Sequence, residues 1–519
     1  MSTHHLFRIG GRLAPLALLS AGILGISTAA GALSTGTLVQ APDHPFPGTS
    51  AACDSLIANQ TSLGSHNYPD SEVEPYMVAD PANPQHLVAS FQQDRWDDGG
   101  DNGNVTVVSD DGGQNWKLAS TQPAFTLCEG AAPGSSSFFN RASDPWVSYS
   151  SDGSTVYQAS LAFNANGPAF GGASSVQVST SSDGGDRWNT PVAVKVDQST
   201  TVLNDKESVT ADPNNPSDAY VTWDRLVSPS VNANPTAFNF TPAFRGPAWF
   251  AKTTDSGKTW GTPHIIYDPG QNNQTIDNQI VVEPDGTLVD GFVQILTKGA
   301  KGQPREVDNV AVIRSTDGGA TWSAPVIVSR LNLAEVSING QGVRTGDIIP
   351  TFTADPATGK LYAVWQDGRF TGHANIVFSM SSDGGDSWST PIRIDQAGDT
   401  APAFTPQVHV SSDGTIGVSY YDLENATAAE PGLTDAFLVT CHPTASTNCG
   451  NASSWAAGGE TRLSTSGSFN MTTAPDAGGF FVGDYEGLTS TGSTFDPFFM
   501  MAQPIATKGL TDPFANTAK

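Results

Sequence analysis

Basic residues are scarce in this sequence. It contains 24 lysines and arginines against 51 aspartates and glutamates, so the formal net charge is -27 at pH 7. A protein surface with this excess of negative charge repels phosphate groups, which excludes nucleic acid and anionic membranes as partners. The sequence also lacks zinc-ligand spacing, a phosphate-cradling glycine loop and a supported Ser-His-Asp arrangement. We therefore expect no cofactor.

Long hydrophobic runs are absent except near the N-terminus. Arg8 and Arg12 precede a largely apolar run over residues 13–26, which ends in small residues around position 30. This order is typical of a signal peptide, so we expect residues 1–32 to be cleaved on export. No later stretch is apolar over the length that a membrane span needs. The sequence predicts a secreted, extracellular protein without membrane insertion, and an uncleaved N-terminal anchor is the alternative.

Cysteine is also rare, with four residues in the whole chain. Four cysteines fit an oxidising compartment, in which they pair as disulfides. Cys441 and Cys449 are close enough in sequence to close a small local loop. Cys53 and Cys128 would then connect the N-terminal arm to the rest of the chain.

A repeated turn, in contrast, is abundant. The pattern Ser/Thr-x-Asp-x-Gly-x-x-Trp, here called the Asp box, occurs five times, and successive copies are 72, 72, 62 and 66 residues apart. Its aspartates are Asp111, Asp183, Asp255, Asp317 and Asp383. The Asp side chain can accept hydrogen bonds from the turn backbone, Gly allows positive φ, and Trp supplies an apolar plug. The spacing predicts one four-stranded blade per repeat, with the box as a structural turn between the third and fourth strands.

A second repeat indicates the number of blades. Apolar or alternating segments, several of which end in an Asp-Pro turn, predict the innermost strand of each blade. These strands are predicted to start near Glu74, Asp144, Glu207, Gln279, Ile349, Gln407 and Glu486. We predict an all-β fold, a seven-bladed β-propeller of four antiparallel strands per blade over residues 71–519. Six blades with an outer flap is the alternative.

The remaining segments are assigned around this domain. The N-terminal arm over residues 33–70 is expected to add a strand around residues 51–65 that closes the ring. Residues 228–247 and 431–455 interrupt the period and are predicted to be loops. We expect a monomer.

In an up-and-down blade the connections alternate between the two ends of the ring. The Asp boxes and the Asp-Pro turns therefore share one end, and the loops that enter the first strands or leave the second strands share the other. Six basic residues fall in these latter loops: Arg95, Arg141, Lys206, Arg225, Arg344 and Arg369. Arginine matches a carboxylate with a planar fork of donors, so we expect Arg95, Arg141, Arg344, Arg369 and the nearby Asp205 to bind a carboxylate-bearing ligand. Inter-blade salt bridges are the alternative, above all for Arg225 and Arg369.

The Asp boxes and the segment from Ala89 to Arg95 resemble the first blade of bacterial sialidases. In that family this blade places a pocket arginine after the second strand and an acid/base aspartate a few residues later. The resemblance implies that Arg95 is the pocket arginine and that Asp98 or Asp101 is the acid/base. The family removes a terminal sialic acid with retention, using a tyrosine nucleophile activated by a glutamate. The resemblance therefore implies a sialidase-like, exo-acting glycoside hydrolase, whose substrate is a glycan or glycoconjugate that ends in a sialic-acid-like or uronate sugar.

The same resemblance assigns the remaining roles. Tyr485 would be the nucleophile and Glu486 its activator, while Arg141 and Arg344 would help to bind the sugar carboxylate. The sequence departs from the family in residues 73–75, which read Val-Glu-Pro where the family has Arg-Ile-Pro. Tyr485 and Glu486 are also adjacent on a presumed strand, so their side chains should face opposite ways.

Two other function classes and one ion remain open. A polysaccharide lyase acting on uronate glycans needs His or Tyr for proton transfer, and His66, Tyr68 and His409 lie near strand starts. A non-catalytic carbohydrate- or protein-binding propeller needs only recognition loops. Calcium could bind the acidic stretch over residues 97–104, although that stretch lacks EF-hand spacing and is expected to be a solvated loop.

Overall fold

The structure is a computed structural model that describes residues 32–136, 138–165, 172–230, 245–299 and 305–519. The predicted signal peptide, apart from its last residue, and most of the insert at 228–247 lie outside the described residues. The regular secondary structure of the described chain is almost entirely β-strand. Its N-terminal arm contains strand β1 (Val39–Gln40) and helix α1 (Ala51–Ser62). Among the described helices, none has the length and apolar character to cross a membrane.

Antiparallel sheets of four strands follow one another along the chain. The first two contain β2 (Glu72–Ala79), β3 (Leu87–Gln93), β4 (Gly103–Ser109) and β5 (Lys117–Leu118), then β6 (Arg141–Tyr149), β7 (Val156–Phe163), β8 (Ser174–Ser181) and β9 (Val192–Asp197). The next two contain β10 (Val202–Ala211), β11 (Ala219–Val227), β12 (Ala248–Thr253) and β13 (His264–Tyr267), then β14 (Asn273–Val282), β15 (Leu288–Lys298), β16 (Arg305–Ser315) and β17 (Val326–Arg330).

A separate hairpin, β18 (Val336–Ile338) and β19 (Gln341–Arg344), precedes the fifth sheet. That sheet contains β20 (Thr351–Ala354), β21 (Leu361–Asp367), β22 (Asn375–Ser381) and β23 (Ile392–Arg393). The sixth contains β24 (Ala403–Val410), β25 (Ile416–Asp422), β26 (Leu433–Cys441), β27 (Glu460–Arg462) and the added β28 (Phe469–Asn470), with α2 (Ala452–Gly458) before β27. Strand β29 (Phe480–Phe481) pairs in parallel with β19. The last sheet contains β30 (Gly487–Thr491), β31 (Thr494–Ala502) and β32 (Thr511–Ala515).

The sheets are arranged around a common axis. The first strands contact one another in sequence order, β2 with β6, then β10, β14, β20, β24 and β30, and β30 contacts β2 again. Four-stranded antiparallel sheets whose innermost strands meet in a ring are the architecture of a β-propeller. The closing strand is β1, which pairs antiparallel with β32 through Val39 and Gln40.

The prediction that residues 51–65 supply this closing strand is wrong. Those residues form α1, because the Ser50 hydroxyl caps the helix by accepting a hydrogen bond from the Cys53 N–H at 3.1 Å. A disulfide between Cys53 and Cys128 attaches the helix to the loop after the first sheet. The strand that closes the sheet lies earlier in the arm.

The prediction of a loop over residues 431–455 is also wrong. Strand β26 lies inside that segment, because it is apolar on both faces: Phe437 and Val439 pack into one core cluster, and Ala436 and Leu438 pack into another. Helix α2 follows and buries Trp455 completely. The disulfide between Cys441 and Cys449 joins the end of β26 to the loop before α2.

The Asp-box segments lie between the third and fourth strands of the first five sheets. In the first, Asp111 Oδ1 accepts hydrogen bonds from the Ser109 hydroxyl at 3.0 Å and the Asn115 N–H at 2.8 Å. The Gly112 N–H donates to the carbonyl of Gln85 at 2.8 Å, which ties this turn to the loop between β2 and β3. The start of β2 and the end of β3 therefore lie at the opposite end of the sheet.

Candidate functional site

The innermost strands carry a β-bulge at the same point in five of the sheets. In β2, β6, β10, β14 and β24 the pairing with the second strand shifts register near the strand start. One residue at each bulge has positive φ, between 48° and 63°: Glu74, Asp144, Lys206, Asp277 and Thr405. Non-glycine residues in this conformation cost energy and cluster at functional sites. The bulges bring four charged side chains together at the axis, at the end opposite the Asp boxes.

Lys206 occupies an aromatic and acidic cage at this end. Its Nζ lies 3.2 Å from Asp277 Oδ1, 4.0 Å from the ring centre of Tyr485 and 4.9 Å from that of Trp146. Tyr76 stacks on Trp146 with 3.7 Å between ring centres. Burial disfavours the charge, but Asp277 and Asp144 outweigh it and raise the pKa of Lys206. The cation is a fixed positive centre among the acidic residues of the bulges.

Arg344 is held at the axis by the hairpin of β18 and β19. Its guanidinium forms a bidentate ion pair with Asp484 and lies 4.3 Å from the ring centre of Phe481. Burial works against ionisation of Asp484, but Arg344 lowers the pKa of that carboxyl. The Arg344 side chain is 37% exposed, so this ion pair borders solvent.

Arg95 lies beside the same aromatic ring. Its guanidinium is 5.0 Å from the ring centre of Phe481, and Nη1 donates to Gln92 Oε1 at 2.6 Å. Gln92 in turn donates to Glu74. Burial, together with the charges of Asp144 and Asp484, raises the pKa of Glu74 well above its ordinary value. Burial and the neighbouring Arg344 lower the pKa of Arg95, because both disfavour a positive charge on its guanidinium.

Asp205 differs from the other carboxyl groups of the site. It is partly exposed and forms no ion pair with any described residue. Burial and the nearby charge of Asp144 raise its pKa to about 7, although Arg344 and Lys206 act in the opposite direction. A carboxyl group that reaches solvent and titrates near neutrality can donate a proton to a bound substrate. Arg344 thus lies near both an ionised carboxylate, Asp484, and a proton-bearing one, Asp205.

Of the four arginines predicted to bind a carboxylate-bearing ligand, the structure brings only two together. Arg95 and Arg344 flank Phe481, whereas Arg141 is fully buried elsewhere, 4.5 Å from the ring centre of Trp96. Arg141 donates to Asp98 Oδ1 at 2.5 Å and to the carbonyl of Gly99 at 2.6 Å. Its Nε donates to Gln60 Oε1 of helix α1 at 2.7 Å, and its Nη2 has no hydrogen-bond partner among the described residues.

Two further arginines at this end are held in ion pairs. Arg369 binds the buried Asp367 and donates to the backbone carbonyl of Arg330. Arg225 binds Asp197 through Nε at 2.9 Å and Nη2 at 2.7 Å. The Arg225–Asp197 contact is a salt bridge between two blades, whereas Arg369 and Asp367 belong to the same blade, and neither arginine joins a shared carboxylate pocket.

The two candidate proton donors from the sialidase resemblance have different surroundings. Asp98 is half-exposed, and Arg141 and Ser65 lower its pKa against the effect of burial, so it holds no proton near neutrality. Asp101 is fully buried with both carboxylate oxygens unpartnered among the described residues. Burial and the nearby Glu129 raise the pKa of Asp101 well above its ordinary value. Asp101 has no exposed surface from which to reach a bound substrate.

Tyr485 and Glu486 face different parts of the core. Tyr485 lies under Lys206, and its hydroxyl donates to the carbonyl of Pro145 at 3.4 Å. Burial raises its pKa well above the ordinary value. Glu486 is buried near Ser419 and Tyr421, and burial raises its pKa as well. The two side chains do not form a nucleophile and activator pair, as their adjacency on a strand predicted.

The residues that lyase chemistry or a calcium ion would use lie outside this site. His409 is half-buried and bonds to the Ser490 hydroxyl at 3.0 Å, and desolvation lowers its pKa to about 4. His66 and Tyr68 pack edge to face on each other, with 4.5 Å between ring centres. In the acidic stretch, Asn102 accepts from the Trp96 indole and Asn104 donates to Ser160, so its side chains do not converge.

Sequence reasoning missed the hairpin that positions Arg344. Its turn is Asn339-Gly340, with φ of 53° and 85°, which is the dipeptide of a two-residue β-hairpin. That signal was present in the sequence between two short alternating segments. The role of Phe481 had no comparable signal, because it depends on the parallel pairing of β29 with a strand more than 130 residues earlier.

Comparison with solved structures gives distant similarities only. The chain is similar to a protein of unknown function from Dyadobacter fermentans (TM-score 0.46, 11% identity, covering 94% of this chain and 100% of that one). It is similar to an α-L-arabinofuranosidase from Fusarium graminearum (TM-score 0.44, 13% identity, 74% and 92%) and to NanB bound to optactamide (TM-score 0.42, 10% identity, 94% and 98%). No protein-family model matches the sequence, and no curated protein matches it. At these TM-scores the similarities assign no function to this chain.

Proposed function

We propose that the protein is a carbohydrate-active enzyme that hydrolyses glycosidic bonds at the axial end opposite the Asp boxes. The observation that carries this proposal is the contrast between Asp205 and Asp484 near Arg344. The pKa of Asp205 is raised to about 7, whereas the pKa of Asp484 is lowered. Two carboxyl groups whose environments push their pKa values apart are the chemical requirement for glycoside hydrolysis.

In this mechanism Asp205 protonates the oxygen of the departing sugar as the glycosidic bond breaks, and a water molecule then bonds to the anomeric carbon and returns a proton to the Asp205 carboxylate. Asp484 stays ionised and stabilises the positive charge that develops on the sugar ring, while Arg344 fixes its orientation. The rings of Tyr76, Trp146 and Tyr485 pack under Lys206 and make this end of the axis rigid. Rigid support of this kind holds catalytic groups in position.

The charge of the site favours a neutral sugar. Arg344 already binds Asp484, so a sugar carboxylate would have to displace that partner, and Arg95 is almost fully buried. A sialic-acid-like or uronate sugar is the second candidate. It is favoured by the exposure of Arg344, whose Nη1 makes only a long contact of 3.4 Å to the carbonyl of Ala477.

For the whole molecule we propose a secreted, monomeric, seven-bladed propeller in which the Asp boxes are structural turns. The seven sheets, the pairing of β1 with β32 and the hydrogen bonds of Asp111 support this arrangement. Two disulfides support export to an oxidising compartment.

The test is release of 4-methylumbelliferone from a panel of neutral glycosides, a sialoside and a glucuronide by the purified protein. We expect release from a neutral glycoside and its loss in Asp205→Asn, with activity kept in Asp386→Asn, an exposed carboxylate of the fifth Asp box. Preference for the sialoside or glucuronide would support the second candidate. An ultraviolet-absorbing unsaturated product from uronate glycans would instead indicate a lyase. Glycan binding without any turnover would indicate a binding protein and overturn the proposal.

A further inference from the structure

Three buried carboxylates from distant parts of the chain converge where the ring closes. Asp43 belongs to the N-terminal arm, Glu72 begins β2, and Asp512 lies in β32. Each offers an oxygen, and these oxygens all lie within 4.8 Å of one another. All three side chains are more than nine-tenths buried. This group, here called the closure cluster, is at the Asp205 end of the sheets but is separate from the axial site.

Each member of the closure cluster has one oxygen held and one oxygen free. The held oxygens accept from Lys508 Nζ at 2.6 Å (Asp43 Oδ1), from the Thr507 N–H at 2.6 Å (Asp512 Oδ2) and from the Gln93 amide (Glu72 Oε1). The other oxygens, Asp43 Oδ2, Glu72 Oε2 and Asp512 Oδ1, have no hydrogen-bond partner among the described residues. Unpartnered buried carboxylate oxygens are rare and costly, and three of them on carboxylates that converge indicate a missing positive ligand.

The surroundings increase the negative charge. Asp70 and Asp94 act on Glu72 through their charges, together with the other two members. The cation in contact with the cluster is Lys508, whose side chain is half-exposed. Among the described residues, the closure cluster therefore has three carboxylates in contact with one half-exposed lysine.

We propose that the closure cluster binds a Ca²⁺ ion that fastens the N-terminal arm and the last sheet to the first sheet. Calcium takes oxygen ligands at about 2.3–2.6 Å, so ligand oxygens up to about 5 Å apart fit around one ion. Magnesium requires distances of about 2.0–2.1 Å and keeps most of its waters, and zinc prefers nitrogen and sulfur ligands. A set of carboxylate oxygens spaced up to 4.8 Å therefore favours calcium.

The position of the closure cluster explains what the ion would do. The Thr511 hydroxyl donates to the backbone carbonyl of Glu72 at 2.7 Å, and the Leu510 N–H donates to the Ser71 hydroxyl at 2.9 Å. These bonds hold the last sheet against the first. Asp43 adds the arm, which immediately follows the closing strand β1. An ion shared by the three segments stabilises closure of the ring and is independent of the chemistry at Asp205.

The test measures bound calcium and thermal stability of the full chain. After dialysis into chelator-treated buffer to which only micromolar CaCl₂ is added back, elemental analysis should find about one calcium per chain, because three converging carboxylates bind a single ion. EDTA should lower Tm, and CaCl₂ should restore it where the same concentration of MgCl₂ does not. Glu72→Gln and the milder Asp43→Asn should lose the calcium and the EDTA response.

Asp290→Asn is the matched control, because Asp290 is also fully buried with both oxygens unpartnered but belongs to the fourth sheet. It should keep the calcium. If the native protein binds no calcium and EDTA leaves Tm unchanged, the proposal is overturned. Retention of the calcium by both Glu72→Gln and Asp43→Asn would also overturn it, since the ion would then lie elsewhere. If Glu72→Gln does not fold, Asp43→Asn alone decides.

Discussion

Replacement of Asp205 by Asn should increase stability and abolish activity at the same time. The pKa of Asp205 is about 7 in the folded protein against an ordinary value of 3.8. Each pKa unit corresponds to 1.36 kcal/mol, so the ionised side chain destabilises the folded state by at most about 4 kcal/mol. Because the carboxyl is partly exposed and screened by solvent, we expect about 2 kcal/mol.

The sign of the pH dependence follows from the raised pKa. Between pH 4 and 7 the folded state binds more protons at Asp205 than the unfolded state does. The stabilising contribution of this group is complete below pH 4 and is lost as pH rises through 7. Asp205→Asn should therefore be more stable than the native protein at pH 8 and similar to it near pH 4. Urea unfolding at the two pH values measures both differences.

Activity gives the second measurement. General acid catalysis contributes about 10²- to 10⁴-fold, so kcat of Asp205→Asn on a released-fluorophore glycoside should fall by at least about 100-fold. The native rate should decline above pH 7 as Asp205 loses its proton. Asp386→Asn serves as the control in both assays. A variant that keeps kcat within about threefold of native, or that is less stable at pH 8, would refute the assignment of Asp205.

Other changes test the remaining parts of the molecule. Replacement of both Cys53 and Cys128 by Ser should lower the free energy of unfolding by about 4.5 kcal/mol, because this disulfide closes a loop of 75 residues; an unchanged urea midpoint would contradict this. Arg344→Ala leaves Asp484 as an unpaired carboxylate that is only slightly exposed, so we expect lower stability above pH 5 and a loss of kcat. Calorimetry at pH 4 and 8, with Arg344→Lys for comparison, checks whether the loss of stability depends on ionisation of Asp484.

The strand pattern was predictable because it depends on local chemistry. The five Asp boxes mark the turn after the third strand, and the alternating apolar segments mark the innermost strands. The predicted starts of these strands, such as Glu74 and Asp144, fall within a few residues of the observed β2 and β6. Local signals were also present where the prediction was wrong: Ser50 is a helix N-cap, and Asn339-Gly340 is a hairpin turn.

The site was only partly predictable. Alternation of the connections brought Arg95, Arg344 and Asp205 to one end of the ring, and the structure has them there. The sequence did not indicate which arginines contact the same side chain. Arg95 and Arg344 both lie beside Phe481, whereas Arg141 contacts Trp96 and Asp98 in the loop after β3. The side-chain partners depend on distances between sheets that no local pattern encodes.

By itself the sequence determined the all-β class, the repeating unit and the end of the sheets at which charged residues gather, because these follow from turn chemistry and the two-residue period of a strand. Only the tertiary structure decided which carboxyl groups keep a proton. Asp98 and Asp205 are the same residue type, yet an ion pair with Arg141 lowers the pKa of one and burial beside Asp144 raises the pKa of the other. Ionisation is set by burial and by charges contributed from other sheets, and these exist only after the ring has closed.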